Sequence, residues 1–312
     1  MNHYLLLSVF LGVVEGLTEF LPVSSTAHLR VCEALLNVPL TSGYWIMYSI
    51  VIQLGAILCL PVYFRHRFVK LVSTFPRGEK GDQTVFTHPL GLTLIAFVVT
   101  AIPAFLLTKV IGEHLEDLSI MGASLVLGGI VMWIVDARNA RSEAEGPDAP
   151  QSLIHTWAME TMSLGQAVWI GLCQILSAVF PGVSRSMSTI AAGQLAGMSR
   201  ASALEFSFFL SFPTMVVATV YTLLKSLMGK GENPIGVSQI SGSEWGILAV
   251  GFVVSFVVAY IAVAWFMGWV RKHGFVPFAI YRIIVGSLVL VLAFHLGAQG
   301  VTPCEWLVDS GW

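Results

Sequence analysis

Glu15 and Glu19 stand four residues apart, with apolar runs on either side of them. On a helix that spacing puts both carboxylates on one face. Two carboxylates a turn apart suit a hard divalent cation, Mg2+ or Ca2+, or a metal together with a proton carrier. Pro22 then breaks the run, and Ser24, Ser25, Thr26 and His28 follow it. A hydroxyl near an imidazole is the minimal pair for nucleophilic attack or proton shuttling. Serine and threonine after a break are also ordinary helix caps, and a lone histidine is more often a satisfied interior group. Spacing alone leaves both readings of the serines open; the carboxylates upstream favour chemistry. A second polar island, Phe180-Pro181-Gly182-Val183-Ser184-Arg185-Ser186, continues through Ser188 and Thr189. A guanidinium among hydroxyls and backbone N–H groups freed by a Pro-Gly break is a phosphate cradle. The competing role for Arg185 is an ion pair with Glu15 or Glu19, and both hold if a phosphate and its metal lie between them.

The elements that must carry these islands are membrane spans. Apolar residues make up 56% of the 312 and charged residues only 11%, against roughly 25% charged in a soluble domain. A charge at mid-bilayer costs roughly 2.5–3.5 kcal/mol on insertion scales, so the two islands are functional candidates by default. The formal net charge of −2 gives no support to nucleic acid or an anionic surface as a partner. Met1-Asn2-His3 lacks a basic leader, so no signal peptide is expected. Cysteines 32, 59, 173 and 304 have no CxxC spacing and are expected to be small buried apolar residues.

The chain repeats itself weakly. Tyr48-Ser-Ile-Val-Ile-Gln-Leu resembles Glu205-Phe-Ser-Phe-Phe-Leu-Ser at an offset of 157, and the apolar segments starting near 118 and 275 share that offset. Val23-Ser24-Ser25-Thr26 matches Val183-Ser184-Arg185-Ser186 at an offset of 160. A near-constant offset over several segments is the signal of a repeat. Each half then reads as one broken segment plus three spans. The first half, 1–136, has its break in 3–37 and spans at 43–64, 85–108 and 118–135. The second, 163–297, has its break in 163–198 and spans at 202–227, 245–270 and 275–297. The expected fold is all-α, a polytopic membrane protein of two inverted-topology repeats, each a re-entrant helix–loop–helix plus three transmembrane helices. Irregular backbone at membrane depth is tolerated only inside protein. Residues 137–162 read as a solvated cytoplasmic linker and 298–312 as a tail whose Trp306 and Trp312 suit an interface.

Three crossings per half invert the second half. Ten basic residues (Arg65, Arg67, Lys70, Arg77, Lys80, Arg138, Arg141, Arg200, Arg271 and Lys272) then share one side, against Arg30, Lys109, Lys225 and Lys230 on the other. The richer side is cytoplasmic. Both re-entrant tips meet near the midplane in one site. Glu205 and Arg282 are expected to form a buried structural pair, and Gln53 to bond a loop or a substrate.

At these residues the chain resembles the undecaprenyl-diphosphate phosphatase family, the integral-membrane bacitracin-resistance type. The likeness rests on Glu15-xxx-Glu19 with Leu21-Pro-Val-Ser-Ser-Thr-x-His28, and on Pro181-Gly-x-Ser-Arg-Ser-x-x-Thr189. It extends to Val51-Ile-Gln-Leu-Gly55, Glu205-Phe-Ser-Phe208 and Pro277-Phe-Ala-Ile-Tyr-Arg282, nearly the whole chain. The resemblance implies hydrolysis of undecaprenyl diphosphate to the monophosphate, recycling a lipid carrier for peptidoglycan synthesis, with bacitracin resistance as a consequence. It implies a multi-pass protein of the cell inner membrane with a site open to the extracytoplasmic side. Residue by residue, it implies metal carboxylates Glu15 and Glu19, nucleophile Ser25, proton-transfer partner His28 and phosphate binder Arg185. Ser24, Thr26, Ser184, Ser186 and Thr189 would line the phosphate pocket. The expected partners are a polyprenyl diphosphate and membrane lipids, with a homodimer left open. Ala27 stands where the family usually has glycine, which limits positive φ in the loop, and Met187 where a small residue is usual, narrowing the pocket or facing lipid.

A polyprenyl-phosphate flippase or transporter is the alternative, because inverted repeats with broken helices are also transporter architecture. Anion transport needs the arginine and the helix ends but has no use for a carboxylate pair beside a hydroxyl.

Overall fold

The long uncharged runs leave no backbone group that lipid can satisfy, and helices are the local solution. A computed structural model describes residues 2–36, 38, 43–107, 117–147, 152–228 and 240–298. Eleven α-helices are found among them: α1 (Asn2–Thr18), α2 (Ser25–Leu35), α3 (Gly43–Tyr63), α4 (Arg65–Thr74), α5 (Pro89–Leu106), α6 (Leu118–Glu145), α7 (Leu164–Val179), α8 (Arg185–Leu195), α9 (Arg200–Leu227), α10 (Gly242–His273) and α11 (Val276–Ala298). The only β-structure among the described residues is a single bridge between Thr156 and Met198. Six helices, α3, α5, α6, α9, α10 and α11, are long and apolar enough to cross a membrane, and the chain is a multi-pass membrane protein. Phe105, Leu106, Leu288, Val291 and Phe294 are exposed on these helices, as lipid-facing side chains should be. Lys109, Lys230, Cys304 and the tail tryptophans lie outside the described residues.

Helix starts follow local chemistry. Asp117 Oδ1 accepts from the N–H groups of Ser119 (2.7 Å) and Ile120 (3.1 Å) to open α6. Ser163 and Gln166 form a reciprocal capping box at α7, and Ser241 and Glu244 another at α10.

Packing is reciprocal between the halves. α1 lies on α10 as α7 lies on α5; α3 lies on α10 as α9 lies on α5; α3 meets α9 and α6 meets α11. The two short arms approach their partners closely enough to require glycine. A Cβ at Gly16 would come 2.7 Å from the Ser255 carbonyl oxygen on α10, and one at Gly171 2.7 Å from that of Ala96 on α5.

Three expectations change here. The stretch 137–162 is not a solvated linker throughout. α6 continues to Glu145 because Asp136, Asn139 and Ser142 are buried, and Met159 and Met162 join the apolar cluster of Phe206 and Leu210. Asp136 holds this end together: it accepts from Arg200 Nε (2.7 Å), Gln194 Nε2 (3.1 Å) and the Phe275 N–H (2.9 Å). Glu205 does not pair with Arg282. It accepts from Arg67 Nε on α4 at 2.7 Å, and Arg67 also pairs with Glu160. Met187 faces neither lipid nor the main cavity but packs inward with Phe20, Ile190 and Phe208.

Candidate active site

The two breaks share a backbone device. α1 stops at Thr18 and α2 starts at Ser25; α7 stops at Val179 and α8 starts at Arg185. The residue before each new helix is a serine with positive φ, Ser24 at 74° and Ser184 at 69°, the only such non-glycine residues described. Each serine caps its helix, Ser24 Oγ accepting from the Ala27 N–H at 3.5 Å and Ser184 Oγ from the Met187 N–H at 3.3 Å. A non-glycine residue held there costs on the order of 1–3 kcal/mol, and such strain collects at functional sites. The positive φ falls at Ser24 and not at position 27. Ala27 lies inside α2, so its methyl group does not restrict the loop as the sequence suggested. Gly182, at φ +90°, lies so close to the Met121 carbonyl that no side chain fits.

The tips meet through Glu19. Its Oε2 accepts from Ser25 Oγ at 2.6 Å, and its Oε1 pairs with Arg185 Nη2 at 2.6 Å. The pair is buried, 3% exposed at the glutamate and 11% at the arginine, which makes it strong only while both partners are present. Arg185 Nη1 is also buried and has no partner. Ser186 Oγ donates to the Leu21 carbonyl at 3.0 Å, a second link between the loops.

Above this contact opens a cavity of about 600 Å3. Glu19, Ser24, Ser25, Thr26, Ser184 and Arg185 form its polar end, with Gln53 and Gln174 nearby. Its walls come from one half of α5 (Phe97, Ala101, Ala104, Phe105) and one half of α9 (Met215, Val217, Ala218, Tyr221), and are mainly apolar. A polar end and an apolar sleeve fit a ligand with a charged head and a hydrocarbon tail.

Four expected site residues lie elsewhere. His28 does not reach Ser25: its Nδ1 bonds the Ser24 carbonyl and its Nε2 the Tyr281 hydroxyl, each at 2.7 Å. The rings of His28 and Tyr281 stack with centroids 5.6 Å apart. The group beside the Ser25 hydroxyl is Glu19. Ser186 does not line the cavity because its hydroxyl is turned to Leu21. Thr189, a turn into α8, faces α9 and bonds Ser207 Oγ at 2.7 Å. Glu15 is fully buried, outside the cavity lining, and no donor group reaches its oxygens; its neighbour is the Glu19 carboxyl. An unpaired buried carboxylate is costly. The donors that Glu15 and Glu19 offer are hard oxygens, which fit Mg2+ or Ca2+. Among the described residues no three His, Cys, Asp or Glu side chains converge, so any cation here would complete its shell with water or phosphate.

Arg282, on α11, was assigned the wrong partner by its spacing and charge. Its side chain is fully buried and donates to four carbonyls: Pro22 (3.1 Å), Ser124 (3.2 Å), Gly182 (2.9 Å) and Val183 (3.0 Å). Two other contributors escaped notice, Gln174 and Tyr281. Gln174 sits on the cavity wall with its Oε1 unpartnered; its one available signal was an amide in the apolar middle of α7, apart from the capping Gln166.

The family described as bacitracin resistance protein BacA matches residues 8–288 of this chain. An undecaprenyl-diphosphatase of Koribacter versatilis (strain Ellin345) is 64% identical over 295 residues, covering 94% of this chain and 99% of that protein. One from Caldanaerobacter subterraneus subsp. tengcongensis is 38% identical, covering 94% and 97%. Undecaprenyl-diphosphatase 2 of Paramagnetospirillum magneticum is 39% identical, covering 91% and 97%. With both broken-helix loops and five of the six spans wholly inside the matched region, and the sixth mostly so, the chain belongs to the bacitracin resistance protein BacA family.

Proposed function

We propose that this chain is a membrane hydrolase that removes the terminal phosphate of undecaprenyl diphosphate, the substrate in its relatives' names. The observation that carries this is Glu19 held between Ser25 and Arg185 at the polar end of an apolar cavity. A transporter for the same lipid would need the arginine but not a hydroxyl hydrogen-bonded to a carboxylate.

The geometry supports the following sequence. The terminal phosphate enters beside Arg185, whose unpartnered Nη1 and planar fork suit two phosphate oxygens. The N-termini of α2 and α8 add partial positive charge at the same end. Ser25 Oγ attacks the terminal phosphorus while its proton passes to Glu19 Oε2. The bond from that phosphorus to the bridging oxygen breaks, and polyprenyl monophosphate leaves. The first proton leaves Glu19 with the monophosphate or to solvent. Water then attacks the phosphorus as Glu19 takes its proton, the P–Oγ bond to Ser25 breaks, and Glu19 returns that proton to Ser25 Oγ as inorganic phosphate leaves. Direct attack by water, with Ser25 only holding phosphate, is the alternative route and uses the same residues. Glu15 and Glu19 would hold a divalent cation, Mg2+ or Ca2+. When bound, it would neutralise charge on the phosphate oxygens. Ser24, Thr26 and Ser184 border the phosphate position, and the α5–α9 sleeve takes the first part of the hydrocarbon chain.

The site opens to the extracytoplasmic side of a bacterial inner membrane in this reading, and the halves are inverted repeats. The support is the ten-to-four asymmetry of basic residues. The cavity walls use the halves of α5 and α9 remote from the basic side. The reciprocal helix packing agrees with two repeats. Thr222 lies exposed at the cavity wall. A Thr222→Cys variant in a cysteine-free background should react with an impermeant thiol reagent on intact spheroplasts. Reaction only after the inner face is opened would reverse the orientation.

The direct test of function is phosphate release from a polyprenyl diphosphate by the purified protein in detergent, with and without chelator. Release in metal-replete buffer is the expected result; no release there, with movement of the lipid across reconstituted vesicles, would favour the transporter.

A further inference from the structure

We propose that Arg282 is a positioning residue that holds the two broken-helix loops in register, so that Ser25, Glu19 and Arg185 meet. A guanidinium in the middle of a span normally has a carboxylate partner or a water-filled cavity. Arg282 is fully buried and has no ion pair with a carboxylate among the described residues. Its Nη1 and Nη2 donate to backbone instead, while its Nε has no partner, and the choice of carbonyls is telling. Pro22 belongs to the first break; Gly182 and Val183 belong to the second, immediately before the positive-φ Ser184. These carbonyls have left their helices and have lost the intrahelical donors they would otherwise meet. One rigid fork therefore satisfies the backbone of both loops at once. Nη1 reaches one loop while Nη2 reaches the other, a geometry that an ammonium on a flexible stem does not reproduce.

The passage for this side chain is itself built into the neighbouring span. Arg282 approaches the loops alongside α6 at Gly128 and Gly129. A Cβ at Gly128 would run into Nη2 of Arg282, and one at Gly129 would lie 3.2 Å from Arg282 Cβ. The fourth carbonyl, that of Ser124, is one turn earlier on the same helix. A span, a glycine step and an arginine thus form one device whose output is the relative placement of the tips. Arg282 does not itself line the cavity and has no hydrogen bond to Ser25; it meets the lining only at the Gly182 carbonyl, so it acts through the loops.

The kinetic arm of the test rests on the hydrolytic reading; the structural arm does not. Arg282→Lys keeps the charge and loses the fork. Gly128→Ala keeps Arg282 and displaces its Nη2. Both variants should lower kcat, by about a hundredfold for a shift near 1 Å at the reacting groups, while KM stays within about threefold. Because both act on one contact, the double variant should be no slower than about the slower single one. Nitroxides at Leu35 and Leu195, exposed near the ends of α2 and α8, read the relation of the two arms by pulsed EPR in a cysteine-free background. Wild type should give a narrow distance distribution and both variants a broader or shifted one, at unchanged helix content. If Arg282→Lys does not fold, Gly128→Ala carries the same test. A kcat within about threefold of wild type together with an unchanged distance distribution would overturn the proposal. So would singles whose losses multiply fully in the double variant. If wild type itself released no phosphate, the hydrolytic reading would fail, and the distance distributions alone would decide the role of Arg282.

Discussion

The loop at 19–28 and the loop at 180–189 have the same backbone and opposite chemistry. Each has a proline in the break, a serine with positive φ, and a helix that starts on the next residue. The first loop then puts a hydroxyl at that starting position, Ser25, and the second a guanidinium, Arg185. Glu19, from the first loop alone, bonds both. One backbone device used twice makes two helix N-termini face a common site. In the proposed reaction, divergence at that one position divides the labour: Glu19 and Ser25 on one side would be proton acceptor and nucleophile, and Arg185 on the other the phosphate clamp. The costly item, positive φ at a serine, is kept in both halves. The reactive side chains are not duplicated.

Removing the Ser25 hydroxyl, the proposed nucleophile, should show the largest difference between the halves. Ser25→Ala is expected to lose several orders of magnitude in turnover, because a covalent route has no substitute for the missing oxygen. A supporting hydroxyl would lose only about tenfold, the worth of one hydrogen bond. Single-turnover phosphate release distinguishes them, and retention of a tenth or more of wild-type turnover moves Ser25 to a binding role. Ser184→Ala, the cap in the other loop, should cost far less.

Glu19→Gln should rank next, with two effects. Turnover falls by about 10²–10⁴ through loss of the proton acceptor. Stability falls as well, because Arg185 is left buried beside a neutral amide; breaking a buried pair costs about 3–5 kcal/mol when a full charge is stranded. Chemical denaturation reads the second effect independently of the first. Wild-type activity should disappear in chelator, and excess Mg2+ should partly restore a Glu15→Gln variant. Full chelator-resistant activity of Glu19→Gln would remove Glu19 from both roles.

Arg185→Lys should be milder but not silent, on the order of 10–100-fold in kcat/KM, because the charge remains while the fork is lost. If kcat alone falls, the clamp tightens at the transition state; if only KM rises, it binds ground state and transition state alike.

How much of this could be read from the chain follows from which interactions are local. The spans were legible because twenty uncharged residues have few alternatives, and the breaks because Pro22 and Pro181-Gly182 interrupt apolar arms. The Glu19–Arg185 pairing was legible as one of two options, since only a few charges lie at that depth. Arg282 was misread because the sequence offered Glu205 as its counter-charge, while its actual partners are carbonyls, which no sequence displays. The helical stretch of α6 past 135 was misread for a related reason. Its charges look solvated until Asp136 is seen to gather Arg200, Gln194 and the Phe275 N–H from other elements. His28 was paired with Ser25 by proximity in sequence. Yet three residues on from N1 of α2 it points to α11, where Tyr281 meets it.

That last point gives the smallest expected effect and the sharpest division of roles within the first loop. If Glu19 takes the Ser25 proton, His28 serves only to fasten α2 to α11 through Tyr281 and to brace the Ser24 carbonyl. Tyr281→Phe removes one hydrogen bond and keeps the stacked ring, so turnover should fall less than about tenfold. His28→Asn keeps a donor near the Ser24 carbonyl and loses the stacking, and should fall by a similar factor. Neither change should alter the shape of the pH–rate profile, because in that reading the reaction's proton never passes through His28. A histidine acting as the base predicts the reverse. His28→Asn would then match Ser25→Ala in magnitude and remove one limb of the profile, and Tyr281→Phe would change the apparent pKa of that limb. The kcat/KM profile of wild type and both variants decides between them. A lost limb in His28→Asn would return the proton-transfer role to the histidine, with a rotation of its ring away from Tyr281 during turnover.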